Sequence, residues 1–238
     1  MAESEIKHNL QVVCERISHE AVRAGRAAES VRLLAVSKFH SVEAVVQAIE
    51  AGQRLFGENR VQEACAKFTA VAEKGYEFEL HIIGQLQRNK VKDAVRIANC
   101  IESVDRIALL DEIEKQCAKI EKKMPVYFEL HTGEETKSGF ACEAALLEAL
   151  MRCKDGFYPH VIPAGFMTMA PNTSDEHAVR SSFAALVACA HRMQALFPEF
   201  PLSELSMGMS QDYPLAISEG STLVRIGTAI FGERSAQK

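Results

Sequence analysis

The stretch TLVRIGTAIFG at 222–232 combines a strand-like apolar run with residues suited to bind an anion. Gly227, where the run ends, leaves backbone N–H groups open to close approach by a phosphate, and Thr228 follows it directly. Arg225 places a fixed cation just before this turn, and Ser210, in an upstream serine turn, offers the other half of a cradle. These residue types in this order predict a phosphate site.

A lysine, Lys38, follows the apolar run LLAV at 33–36 and is the candidate nucleophile. Its amine must be partly desolvated before it can attack an aldehyde, and the preceding strand anchors its backbone in the core. A solvated lysine at a strand end is the alternative interpretation. Together with the phosphate cradle, Lys38 makes a covalent pyridoxal phosphate site conceivable. Arg225 then either pairs with an acid or donates to the cofactor's pyridine nitrogen, where a cation disfavours protonation of the ring.

Two further residues are candidates for the sides of such a pocket. Asn59, after Gly57 and Glu58, could pack or hydrogen-bond beside a bound ring, although a capped turn explains it equally well. Met209 belongs to a set of alternating methionines that we interpret as core filling, with at most one against the ring. The set is Met167, Met169, Met207 and Met209. No two histidines have metal-ligand spacing, so no metal site is predicted.

Composition restricts the class of protein. The chain has 238 residues and a net charge of −5, which argues against a general nucleic-acid surface. Its 7 cysteines form no CxxC pair, so buried free thiols and a reducing compartment are expected. The charged N-terminus does not resemble a signal peptide, and no apolar run approaches a membrane span. A cytoplasmic globular protein is predicted.

Strand-like and helix-like segments alternate along the chain, which is typical of parallel strands joined by right-handed crossovers. The predicted strands lie at 32–37, 53–57, 79–84, 100–104, 125–131, 161–168, 204–209 and 222–227. Helices are predicted over 4–23 and over 174–197, the latter with Thr173 and Glu176 at capping-box spacing. Ser41 is predicted to cap a further helix.

This alternation predicts an α/β fold, a single closed (β/α)8 TIM barrel with an extra N-terminal helix. Because a helix precedes the first strand and only a short tail follows the last, we expect the N-terminal helix to fill the slot of the missing eighth. An open doubly wound sheet is the alternative. The site of a parallel barrel lies at the C-terminal ends of its strands, where Lys38, Asn59, Ser210 and Gly227 fall. Residues 134–137 are predicted to be a solvated loop after the fifth strand.

Taken in order, the motifs resemble those of the pyridoxal phosphate homeostasis protein family, also called the YggS or PROSC family. The resemblance covers nearly the whole chain and implies one domain over 1–238, similar to the N-terminal barrel of alanine racemase. Each motif is weak alone, whereas their order and spacing are specific. They are LLAVSK (33–38), AGQRLFGENRVQE (51–63), HIIGQLQRNK (81–90), GEETKSG (133–139), GFM (165–167), LSMGMSQD (205–212) and GSTLVRIGTAIFG (220–232).

The resemblance implies a role for each candidate residue. It implies a Schiff base between Lys38 and pyridoxal phosphate, and Arg225 against the pyridine nitrogen. The phosphate would be held by Ser210, Gly227 and Thr228, and the ring would be lined by Asn59 and Met209. Leu130 and Gln85 depart from the family's usual residues, so polar contacts on that side of the pocket are not implied.

The residues favour a carrier over a catalyst. A racemase needs acid–base groups on both faces of the substrate, and no tyrosine follows Lys38 as it does in racemases; of the tyrosines only Tyr213 is expected near the site. The chain also ends just past the barrel. We therefore predict a monomeric protein that buffers pyridoxal phosphate or delivers it to apoenzymes. A slow amino-acid racemase is the alternative, and an aldolase-like barrel using the same lysine without the cofactor is a third.

Overall fold

Eight parallel strands form a closed barrel in sequence order, as seen in the computed structural model, which describes residues 5–133 and 138–232. The strands are β1 (Arg32–Val36), β2 (Leu55–Glu58), β3 (Glu79–Ile82), β4 (Cys100–Val104), β5 (Met124–Glu129), β6 (Val161–Met167), β7 (Glu204–Met209) and β8 (Leu223–Ile226). Closure is made by β1 and β8, which pair from Arg32↔Leu223 to Ala35↔Ile226. The predicted TIM barrel is confirmed, and the open sheet is excluded.

Helices surround this barrel because each carries one apolar face. They are α1 (Glu5–Arg23), α2 (Val42–Glu50), α3 (Val61–Glu73), α4 (Val91–Ile97), α5 (Ile107–Ala118), α6 (Glu143–Lys154), α7 (Glu176–Leu196), α8 (Tyr213–Glu219) and α9 (Thr228–Phe231). A 3-10 turn at Arg88–Lys90 precedes α4. The regular alternation with the strands leaves all C-terminal strand ends on one face, where loops can converge.

The N-terminal helix occupies the slot of the missing eighth helix, as predicted. Its buried side chains Leu10, Val13, Ile17 and Ala21 recur at helical spacing and join the main core. It packs against α8, α9 and α2, the neighbours that a helix after β8 would have. The Asn9 amide also donates to the backbone oxygen of Ile230, at 3.1 Å.

Helix starts were predicted with mixed success. Ser41 caps α2, since its hydroxyl accepts from the N–H of Ala44. The capping box predicted from Thr173 is wrong: the side chain of Asp175 accepts from the first N–H groups of α7, while Thr173 accepts from the N–H of Asp175. The Asp175 carboxylate, two residues closer to the helix than Thr173, is the cap because it accepts from two N–H groups and because a negative charge at a helix N-terminus is favoured by the helix dipole.

Other predictions concern features outside the barrel. No helix in the described part of the chain is long and apolar enough to cross a membrane. Cys100, Cys117, Cys153 and Cys189 are buried free thiols as predicted, whereas Cys14 and Cys142 are exposed. The predicted solvated loop at 134–137 lies outside the described residues.

Candidate functional site

A cavity of about 580 Å³ opens at the C-terminal ends of the strands. Every site residue predicted from the sequence lines it, namely Lys38, Asn59, Met209, Ser210, Arg225, Gly227 and Thr228. These residues come from the ends of β1, β2, β7 and β8, which the closed barrel makes neighbours. Its volume is within the range of small-molecule and cofactor sites.

Lys38 lies in a tight turn directly after β1. The N–H of His40 donates to the backbone oxygen of Ser37 at 3.1 Å, which closes the turn. Phe39 has a φ of +67°, an uncommon left-handed conformation for a residue other than glycine. Its N–H donates to Oε1 of Glu63 at 2.5 Å. The backbone on both sides of Lys38 is therefore held by specific partners.

The buried ammonium of Lys67 stabilises this turn through the backbone oxygen of Ser37. Lys67, on α3, donates to the backbone oxygen of Ser37 at 2.7 Å, to Oε1 of Glu58 at 2.8 Å and to Oε1 of Glu63 at 2.9 Å. The Ser37 hydroxyl also donates to Glu58, at 2.7 Å. Burial raises the pKa of Glu58, and Lys67 and Ser37 oppose that shift. A buried charge is tolerated when it is paired and fully hydrogen-bonded, as Lys67 is.

Arg225 forms part of the opposite wall. Its Nη1 donates to the backbone oxygen of Ser206 at 2.6 Å and to the Ser206 hydroxyl at 2.7 Å, and its Nη2 donates to the backbone oxygen of Thr168 at 2.8 Å. The side chain is only 5% exposed, and burial lowers its pKa. Its interpretation as an ion-pair partner is not supported, because no carboxylate within the described residues pairs with it directly; its guanidinium is instead fixed by neutral oxygens.

The predicted phosphate side joins two turns. Ser210 follows β7 in a turn where the carboxylate of Asp212 accepts from the N–H of Met209, at 2.6 Å. Gly227 precedes the short helix α9, whose first N–H groups have no intrahelical acceptor. A Cβ at Gly227 would lie 3.0 Å from the backbone oxygen of Val36, so any other residue here would require β8 and β1 to separate by a few tenths of an ångström.

Asn59 and Met209 both line the cavity. Asn59 follows β2 and is approached closely by Gly84, where a Cβ would lie 2.5 Å from the Asn59 backbone oxygen. Met209 is 38% exposed at the rim. Among the other methionines, Met207 is buried in the core, whereas Met167 and Met169 also line the cavity.

Three residues lie elsewhere than expected. Leu130 is buried in the core and forms a bridge with Phe140, so it does not line the cavity. Gln85 lines a neighbouring cavity on the far side of Asn59. Tyr213, expected near the site, is buried in the core and its hydroxyl interacts with Arg16 of α1. The rotation of α8 about its axis, set by core packing, turns this side chain away from the cavity.

Several residues of the site region were not predicted. His40 lines the cavity and stacks on Phe231, with ring centroids 5.0 Å apart; burial lowers its pKa. Lys67 carries only a weak sequence signal, the acid–base spacing of four from Glu63. Glu102 carries a clearer one, because a carboxylate inside the apolar strand β4 must find a buried partner.

Comparison with known proteins identifies first the type of barrel and then the family. The model of the family "Alanine racemase, N-terminal domain" matches residues 3–235. The solved alanine racemase of Clostridium difficile 630 has a TM-score of 0.72 at 13% identity; the alignment covers 98% of this chain but 58% of the racemase. The barrel is therefore of the alanine racemase N-terminal type.

More similar proteins share a narrower name. A pyridoxal phosphate homeostasis protein of Vibrio alginolyticus is 37% identical over 97% of this chain and 98% of its own, and one of Aquifex aeolicus is 39% identical over 94% and 96%. The PipY structure of Synechococcus elongatus PCC7942 with PLP bound has a TM-score of 0.80 at 34% identity, covering 91% of this chain and 100% of PipY. The chain belongs to the pyridoxal phosphate homeostasis protein family.

Proposed function

We propose that this protein binds pyridoxal phosphate in the cavity at the C-terminal end of the barrel and holds it for delivery to other proteins. The observation that carries the proposal is the convergence of Lys38, Arg225 and the Ser210–Gly227–Thr228 cluster on one cavity of about 580 Å³. An amine, a guanidinium and a set of anion donors match the aldehyde, the pyridine nitrogen and the phosphate of this cofactor. PipY, a relative of similar size, is known with PLP bound.

The phosphate fits the turns after β7 and β8. Ser210 and Thr228, which carry hydroxyls, line the cavity together with Gly227, and the N–H of Thr228 is the first of α9. Such hydroxyl and backbone N–H groups donate to an anion without forming an ion pair with it, which favours binding that is specific yet reversible. Asn59 and Met209 would line the two edges of the ring.

Arg225 would face the pyridine nitrogen. A guanidinium has only N–H donors and no acceptor, so a nitrogen bonded to it accepts and stays unprotonated. The cofactor supplies an electron sink for carbanion chemistry when its ring nitrogen is protonated, and Arg225 weakens that sink. This position therefore favours holding the cofactor over efficient catalysis.

Lys38 would hold the cofactor covalently, through a bond from Nζ to the aldehyde carbon that forms with loss of water. The same bond is reversed by water, so a covalent link of this kind suits a carrier. The cavity rim is exposed at Phe39 and Met209, which leaves a route for exchange. We propose that the chain acts as a monomer with one binding domain, in the cytoplasm, with PLP-dependent apoenzymes as recipients.

The visible absorption spectrum after addition of pyridoxal phosphate tests this proposal. Wild type is expected to gain a visible band that borohydride fixes onto the peptide containing Lys38. Lys38→Ala should lose the band and the fixation completely. Lys90→Ala is the matched control, because Lys90 lines the neighbouring cavity and should leave both unchanged. A band of normal intensity in Lys38→Ala would overturn the covalent site.

A slow racemase is the competing function. Besides Lys38 and Arg225, the titratable residues that line the cavity in the described part of the chain are His40, Glu176 and Asp212. Asp212 accepts from a backbone N–H and Glu176 pairs with Arg180, which leaves His40 as the candidate second acid–base group. Steady-state racemisation of an amino acid that is lost in both Lys38→Ala and His40→Gln would favour the enzyme.

A further inference from the structure

A chain of buried polar residues crosses the barrel interior and ends at Arg225. Beyond the guanidinium, the hydroxyl of Ser206 lies 2.5 Å from Oε2 of Glu102. Oε1 of Glu102 lies 2.5 Å from Nδ1 of His81, whose Nε2 lies 2.9 Å from Oε1 of Glu79. We use the name interior chain for these five residues, Arg225, Ser206, Glu102, His81 and Glu79.

The interior chain joins opposite ends of the barrel. Ser206 and Glu102 are fully buried, and His81 is 1% exposed, whereas Glu79 at the start of β3 is half-exposed. Because Arg225 lines the cavity at the C-terminal end, the chain connects that cavity to the N-terminal face. The interior of such barrels is usually filled by branched apolar side chains, so this polar chain is a departure that requires an explanation.

The direction of each hydrogen bond follows from the chemistry of the groups. Arginine only donates, so the Ser206 oxygen accepts from Nη1 and uses its own hydrogen on Glu102. His81 contacts a carboxylate through each ring nitrogen, and its raised pKa favours the form that donates from both, from Nδ1 to Glu102 and from Nε2 to Glu79. In this form every hydrogen that lies beside Glu102 points toward it.

We infer that Ser206, Glu102 and His81 are positioning residues for Arg225, fixing the guanidinium and setting the electrostatic potential where the pyridine nitrogen of the cofactor binds. The inference rests on the proposed function, because it concerns the same site. Ser206 fixes the guanidinium directly through two acceptors, its hydroxyl and its backbone oxygen. Glu102 supplies a negative charge that is separated from Arg225 by Ser206 alone, and a protonated His81 partly neutralises that charge.

Charged groups on other elements act on the two ends of the interior chain. Around Arg225 these are Glu102, Glu129 and Asp212. Around His81 the two carboxylates face its nitrogens, and the ring of Tyr127 packs edge-on at 6.0 Å. Burial lowers the pKa of His81, but the carboxylates outweigh it and raise the pKa to about 8. Deprotonation of His81 above this pH removes one positive charge, so the pyridine nitrogen should gain proton affinity.

The 15N chemical shift of the pyridine nitrogen, measured with 15N-labelled pyridoxal phosphate on the full chain, tests the inference. Ser206→Ala should weaken the bond from Arg225 and shift the signal downfield, with cofactor binding weakened by about three- to tenfold. Ser103→Ala is the matched control: its hydroxyl, also buried on a strand, donates to the backbone oxygen of Gly84, outside the interior chain. It should leave the shift unchanged.

Glu102→Gln tests the charge itself. Glutamine can accept on only one side, so its amide N–H₂ must face either Ser206 or His81. We expect the pyridine signal to move and the pH dependence of its shift near pH 8 to disappear. A pyridine shift equal to that of wild type in both Ser206→Ala and Glu102→Gln would overturn the inference.

A measurement on wild type keeps the inference testable where a variant does not fold. With 15N-labelled histidine, His81 should show both nitrogens protonated below pH 7 and lose a proton near pH 8. A neutral His81 at pH 6 would overturn the hydrogen-bond directions assigned to the interior chain. If wild type fails to bind pyridoxal phosphate, the proposed function is wrong. The histidine titration needs no cofactor, so it still tests the protonation of His81 in the interior chain.

Discussion

Two cations reach the same cavity, Lys38 and Arg225, and the structure holds them in different ways. The Lys38 turn is supported by Glu58 at the end of β2 and by Glu63 and Lys67 on α3. Arg225 is held by the interior chain, whose members come from β3, β4 and β7. The contacts around Lys38 hold the backbone of its turn, whereas the contacts around Arg225 hold its guanidinium and place charges near it. A nucleophile requires a backbone that is held in position, whereas a cation that faces a ring requires a side chain whose position and local electrostatic potential are both set.

The largest expected effect tests the Lys38 side. Lys67→Met removes the ammonium that bonds Ser37, Glu58 and Glu63, and leaves buried acceptors without a donor. We expect a loss of about 3–5 kcal/mol in the free energy of unfolding, measured in urea. Glu58→Gln should cost much less, because the amide keeps an oxygen that can accept from Lys67 and Ser37. Equal losses in the two variants would mean that the ion pair, and not the ammonium, supports the turn.

A smaller effect tests the Arg225 side through pH. The pKa of His81 is raised from 6.5 to about 8 in the folded protein. The folded state therefore binds the proton more tightly, and the added stability is complete below pH 6.5 and lost as the pH rises through 8. This shift corresponds to about 2 kcal/mol in the free energy of unfolding. In wild type the free energy of unfolding in urea should be higher at pH 6 than at pH 9, and His81→Gln should lose this contribution to the difference. The same difference between the two pH values in wild type and His81→Gln would contradict the prediction.

Gly227→Ala tests the turn that lies between the two cations. The added Cβ would meet the backbone oxygen of Val36 at 3.0 Å, so β8 must move a few tenths of an ångström away from β1. We expect pyridoxal phosphate to bind about tenfold more weakly, with a moderate loss of thermal stability, because the phosphate donors follow this residue. Unchanged affinity, measured by fluorescence titration, would remove Gly227 from the cradle.

The smallest effect is expected beside the Lys38 turn. Gln85 lines the neighbouring cavity, with Asn59 between it and the candidate site. Gln85→His should therefore change the dissociation constant of pyridoxal phosphate by less than about twofold, within the range of surface substitutions. A larger change would show that the two cavities act as one site, and that the loop after β3 also contributes to cofactor binding near Lys38.

Sequence patterns located the barrel and the residues of the candidate site, but not what holds them. Lys38, Ser210 and Gly227 each follow an apolar run, and the C-terminal ends of parallel strands meet on one face. Strand ends alone could not show that Tyr213 turns toward α1, because that depends on the rotation of α8. Nor could spacing reveal the bond from Ser206 to Glu102, which are 104 residues apart.

The sequence by itself determined the alternation of strands and helices, the slot filled by α1 and the positions of Lys38, Arg225 and Gly227 at strand ends. Periodicity and turn chemistry act over a few residues and suffice for the strands, helices and strand ends; the slot of α1 followed from counting the elements that a closed barrel needs. Only the tertiary structure decided which buried charges meet: Lys67 with Glu58, and Arg225 with Glu102 through Ser206. Closure of the barrel brings these side chains together in a medium of low polarity, where each must find a partner.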